Sequence, residues 1–243
     1  PVVQIILDEN GNADLDNDTQ LHINRINLFG NKITDKGFII EASDVVYVSV
    51  RVNSSIRNAT GPIHGGALVS KGASALGTEF RIGGFVNEPV VPFSHTTFAS
   101  LMATENNTSI DFTDLPSGTL LPSGIVIPSN LTLNEGESYI IALGGNEDPG
   151  KLIGKLIKSN KPIVVNSGSA SGSFADNPSI GGTTQDYGFD QIVGADKIGS
   201  EYILVRGNGL DSFENVLIIA HFDNTEVKIN GNNITTINRG QYY

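Results

Sequence analysis

Apolar positions along the chain recur with a period of two over short runs, as expected for strands that bury one face. Leu101–Phe112 (LMATENNTSIDF) shows the pattern best: two short apolar runs flank a polar turn, Glu105-Asn106-Asn107-Thr108. It returns as Ile218–Ile229 (IIAHFDNTEVKI), and more loosely as Phe38–Val48 (FIIEASDVVYV) and Lys155–Val165 (KLIKSNKPIVV). These predict four β-hairpins with turns at Ser43, Asn107, Asn160 and Asn224, where Asn, Asp, Ser and Thr side chains accept hydrogen bonds from nearby backbone. Leu21–Phe29 (LHINRINLF) alternates in the same way and predicts a further strand.

The hairpins belong to a larger duplication. Asn107 and Thr108 align with Asn224 and Thr225 at a spacing of 117, which also relates Gly37 to Gly154, Ile40 to Ile157, Val46 to Ile163 and Val48 to Val165. Leu76-Gly77-Thr78-Glu79-Phe80 matches Ile198-Gly199-Ser200-Glu201-Tyr202 at a spacing of 122. After each hairpin comes a Gly-x-x-aromatic run, ending at Phe80, Tyr139, Tyr202 and Tyr243. The glycine permits the turn and the aromatic is expected to fill the core beside the hairpin.

The smallest repeating module is thus about 58 residues, a hairpin plus one strand. The expected fold is all-β, tandem antiparallel modules arranged as propeller-like blades. The alternative is two packed β-sandwiches of about 110 residues each. On this reading residues 1–30 are a lead-in strand, 31–147 a first double module and 148–243 a second, truncated one.

Composition narrows the function. Hydrophobic residues make up 39% and charged residues 17%, enough apolar content to bury a core. The net charge of −11 repels phosphate backbones and anionic lipid, which excludes nucleic acid as the expected partner and argues against membrane docking. Absence of Cys excludes thiol catalysis, thiolate zinc sites and iron–sulfur clusters. No apolar run reaches the length of a spanning helix. The chain opens at Pro1 without a charged-then-apolar leader, as expected of a processed protein or an excised piece.

Candidate chemistry is sparse. Asp14, Asp16 and Asp18 follow an Asn10-Gly11 turn and alternate as oxygen ligands for a hard cation would; they are the candidate calcium residues, against a solvated hairpin end. His22, His64, His95 and His221 show no zinc-hydrolase spacing, and His221 replaces Thr104 of the sister hairpin, which predicts a surface position. Gly168-Ser169-Ala170-Ser171-Gly172 resembles a nucleophile elbow, but Ala170 stands at the nucleophile position. The carboxylate pairs Asp111/Asp114, Glu135/Glu137 and Asp186/Asp190 are the glycosidase candidates. Phe174, Tyr187 and Phe189 are the candidates for an exposed sugar-binding face.

Gly37–Arg51, Leu76–Gly83, Met102–Phe112, Leu133–Tyr139, Ile157–Gly168, Asp186–Val193 and Gly199–Gly209, in that order, resemble the N-terminal IgG Fc-binding-protein-like region that heads giant surface proteins of Bacteroidota, such as the SprB-type gliding adhesins. That resemblance implies export by the type IX secretion system, residence on the outer cell surface, and contact with surface polysaccharide, substratum or other surface proteins. It implies no catalytic residues. Animal relatives carry Cys in these loops and this chain does not, a departure that favours the bacterial branch. The expected function is therefore a non-enzymatic adhesin or surface scaffold, with a carbohydrate-binding module, calcium-assisted, as the alternative.

Overall fold

The computed structural model describes residues 30–34, 39–54, 64–86, 96–116, 118–119, 121, 123–144, 148–172, 186–207 and 215–243. Twelve strands run through them: β1 (Lys32–Ile33), β2 (Ser49–Ser54), β3 (His64–Val69), β4 (Gly77–Arg81), β5 (Thr96–Ala103), β6 (Thr108–Asp111), β7 (Asn130–Leu133), β8 (Ser138–Gly144), β9 (Leu156–Gly172), β10 (Asp186–Ile192), β11 (Thr225–Ile229) and β12 (Asn232–Ile237). Single 3₁₀ turns at Gly72–Ala75, Pro149–Leu152 and Ala195–Lys197 are the only helical pieces among the described residues. The all-β expectation holds.

Eight strands form one antiparallel sheet that curls into a nearly closed barrel. Its main path is β1-β8-β5-β9-β6-β7, with β4 and β10 also paired to β9. It is not divided into radial blades, so the sandwich alternative describes it better than the propeller does. The hinge of the arrangement is β9. Up to Ile163 it pairs with β4 on one side and β6 on the other. From Ile163 onward it pairs with β5 and β10. One strand that changes partners midway makes the corner between two packed layers.

The corner falls where the sequence predicted a turn at Asn160, and that expectation is overturned. Lys155–Val165 is no hairpin; Ser159-Asn160-Lys161-Pro162 is accommodated as an irregularity opposite β4, between the pairs Gly77↔Ile163 and Glu79↔Lys158. Pro162 has no N–H to offer a ladder, and its carbonyl accepts a bond from Thr104 Oγ1 at 2.8 Å. Asn160 Oδ1 accepts from the Ser109 N–H at 2.7 Å. The turn chemistry is present, but it bends a strand instead of reversing it, because the two halves of β9 each complete a different layer.

Phe80, Leu101, Ile110, Leu133, Ile157 and Ile163 fill the space between the layers. All seven residues of β8 are buried, as expected for a strand covered on both faces. Phe112 stacks on Tyr139 with ring centroids 5.8 Å apart. Burial holds the Tyr139 phenol above its ordinary titration range. Of the four aromatics expected in the core, Phe80 and Tyr139 are there; Tyr202 and Tyr243 are exposed.

The two clearest hairpins are equivalent bond by bond. Asn107 and Asn224 both take positive φ, 57° and 55°. Their N–H groups donate to Asn134 Oδ1 and Asn238 Oδ1, at 3.2 and 3.0 Å. Thr108 and Thr225 hydroxyls donate to Glu105 and Phe222 carbonyls. Gly136 and Gly240 N–H groups donate to Ala103 and Ala220 carbonyls, both at 2.9 Å. The pairs Thr108↔Leu133 and Thr225↔Ile237 repeat the strand register. A non-Gly residue at positive φ costs about 1–2 kcal/mol unless its side chain can bond locally, as Asn does. Asn107→Ala and Asn224→Ala should therefore each lower stability by about 1 kcal/mol, while Asn→Gly at either site should be neutral or stabilising in a denaturant titration.

Candidate functional site

The residues that flank the C-terminal hairpin of β11 and β12, His221 before it and Gly240 after it, meet the main sheet beside β4 and Gly154. β4 alternates: Phe80 turns inward, and its neighbours Glu79 and Arg81 meet His221. The Arg81 side chain is almost wholly buried there. It donates to the Gly154 carbonyl at 2.7 Å and to the His221 carbonyl at 3.4 Å, and lies 3.7 Å from Asp114. Desolvation lowers its pKa, and Asp114 opposes that. Its Nε finds no partner. Asp114 is held in place by the Leu156 N–H, which donates to it at 2.7 Å.

His221 completes the cluster. Its Nε2 is 3.5 Å from Glu79 Oε2, and its Nδ1 is buried without a partner. The side chain is mostly buried, so the surface position expected from its exchange with Thr104 is corrected. Burial and the Arg81 guanidinium lower its pKa, against the pull of Glu79. A histidine whose folded pKa lies below the unfolded value stays neutral in the fold. It then contributes stability that is present in full above the ordinary range near pH 6.5 and is lost as pH falls toward the folded pKa. Melting temperatures should fall between neutral pH and about pH 5, and His221→Gln should flatten that fall. An equal slope in the variant would refute the assignment.

Beside this cluster Thr78, Glu79, Ala195, Asp196 and His221 line an open, polar recess of about 220 Å³. Its lining offers carboxylates and an imidazole, chemistry suited to a small polar group. Among the described residues no three His, Asp or Glu side chains converge as metal ligands. Asp14, Asp16 and Asp18, with Phe174, His22 and His95, lie outside the described residues.

The remaining candidates have structural employment. Asp111 accepts from the Thr113 N–H at 2.7 Å, which holds its carboxyl below the usual range. Glu137 Oε2 accepts from the Asn134 N–H at 2.7 Å and closes the turn before β8. Asp190 pairs with Lys71 at 2.6 Å. Ser169 lies inside β9 and its Oγ accepts from the Phe85 N–H at 2.9 Å, so the elbow-like run is plain strand. Phe189 packs on Phe98 at 6.4 Å and is not an exposed sugar platform. Only the backbone of Asp186 and Tyr187 is described.

Sequence reasoning missed Arg81. The duplication held the signal: Arg81 corresponds to Ile203 and His221 to Thr104, so the polar residues at the junction are those the two copies do not share.

The fold and its polar turns define the class as a doubled all-β unit. The chain belongs to the IgGFc binding protein family, whose model matches residues 65–243. No curated protein and no solved structure matches it.

Proposed function

We propose that the chain is a non-enzymatic binding region of a bacterial cell-surface adhesin, part of a large gliding-associated protein exported by the type IX system. Family membership over residues 65–243 carries the reading. The acidic composition and the hydrogen-bonded polar turns at Asn107 and Asn224 support it, because such turns present many hydrogen-bonding groups at strand ends. Its partners on this reading are other surface proteins, surface polysaccharide or the substratum. Removing residues 65–243 from the source cell's protein should reduce attachment and gliding, with the protein still displayed. Unchanged attachment would refute the adhesin role. Arrays of glycans and of immunoglobulin Fc, probed with and without chelator, distinguish protein from carbohydrate contact and test calcium at Asp14, Asp16 and Asp18.

A further inference from the structure

Residues 215–243 form a unit of their own. Ala220, Val227 and Ile237 are buried together with Ile218 against them, apart from the main core. β11 and β12 pair with each other and enter no ladder of the eight-stranded sheet. The first and last segments of the unit are tied by reciprocal backbone bonds between Ile218 and Tyr243, both at 2.9 Å, and by one from the Ala220 N–H to the Gln241 carbonyl at 3.0 Å. A piece with its own small core and its own ladders can leave the rest of a fold without unfolding.

What holds the unit to the sheet is narrow and mostly polar. Arg81 reaches the His221 carbonyl, Glu79 lies 3.5 Å from the imidazole, and the Gly240 backbone rests on Gly154. Ile219 adds a light apolar contact over Gly83. Charges approach the His221 ring from every side. β4 supplies Glu79 and Arg81, β9 supplies Lys158, and Asp196 of the last 3₁₀ turn stands across the recess. Asp114, after β6, pairs with Arg81. The unit itself supplies Asp223 and Arg239, which pair with each other at 3.4 Å. Glu79 is shared, since Lys158 also lies 3.6 Å from it.

A neutral imidazole suits this place and a charged one does not. Imidazolium carries an N–H on both nitrogens. Nε2 can donate to Glu79, but Nδ1 is buried with no acceptor. The added charge also lies beside Arg81, whose side chain is 8% exposed. Both costs vanish when the ring reaches water. The sister hairpin has no such dependence. Thr104 stands at the position of His221, its hydroxyl donates to the Pro162 carbonyl at 2.8 Å, and β6 is laddered to β9.

We propose that the unit is released by acid: protonation of His221 undocks residues 215–243 from β4 and Gly154 as one piece, both cores intact, and opens the recess at Thr78, Glu79 and Asp196. The docked imidazole titrates below a free one, so docking is complete above the ordinary range near pH 6.5 and weakens as pH falls through the docked value. One proton sets the limit, a docking constant that falls by at most about tenfold per pH unit.

The native chain has no cysteine, so Ser109→Cys on β6 and Thr236→Cys on β12, both at exposed positions, place two spin labels without further change. Pulsed electron resonance should give one narrow distance at about pH 7.5 and a second, broad and longer component at about pH 5. Far-ultraviolet circular dichroism should stay unchanged, and the β11–β12 amides should keep their protection from hydrogen exchange. H221Q and H221T should hold the narrow distance at both pH values. The midpoint of the broad component should coincide with the titration of the His221 ring protons in nuclear magnetic resonance spectra. A single distance at both pH values overturns the proposal. So does a broad component that appears equally in H221Q and H221T, that comes with loss of β11–β12 protection, or whose midpoint departs from that of the His221 ring.

Discussion

Phe80→Ala will destabilise the dilute, monomeric chain by about 3–5 kcal/mol, while Tyr202→Ala will change its stability by no more than about 0.5 kcal/mol. The two residues occupy the same place in the repeat. Phe80 is 1% exposed because β4 is paired with β9 and its ring is covered from the opposite layer. Tyr202 is 67% exposed, and its hydroxyl accepts only a local bond from the Gly199 N–H, at 3.0 Å. Truncating the first removes an aromatic ring from a packed interior and leaves a cavity; truncating the second removes little that is out of water. Urea titrations of both variants check the difference. Similar losses would mean that residues 199–203 are already sheathed by a strand in solution.

Gly154→Ala will cost about 2–4 kcal/mol and loosen the C-terminal hairpin. Gly154 takes φ +80°, and an added Cβ would lie 1.9 Å from the Gly240 carbonyl oxygen, a backbone atom that cannot step aside. Gly136 is the control: it takes φ +78° with nothing near its Cβ position, so Gly136→Ala carries only the backbone strain, about 1 kcal/mol. The difference between the variants measures the contact. Gly154→Ala should also remove the stability loss below neutral pH ascribed to His221, because that side chain is buried only while the hairpin is docked. A Gly154→Ala chain no less stable than Gly136→Ala would refute the junction as described.

Legibility from sequence followed how far each feature depends on distant residues. The hairpins at Asn107 and Asn224 were plain, since alternation and turn residues lie within a dozen positions. Asn160 was misplaced because its turn chemistry is local, whereas the straight passage of β9 is imposed by four partner strands. The aromatics failed for a similar reason: Tyr202 has the same local sequence as Phe80, but burial is decided by whether another strand arrives. Sequence reasoning counted Lys155–Val165 as a hairpin in its own right, whereas it is one bent strand. The junction cluster was invisible to a search for shared motifs. Arg81 and His221 occur once each, at positions where the copies differ.

The midway change of partners in β9 has a consequence for how the molecule is made. The layers built from β4 to β8 stay open until residues 156–172 have left the ribosome. Vectorial emergence therefore delivers more than a hundred residues before the first enclosed interior can exist, and closure then depends on contacts of long sequence separation, which form slowly. A chain assembled this way keeps its upstream strands uncovered until β9 arrives to pair with them.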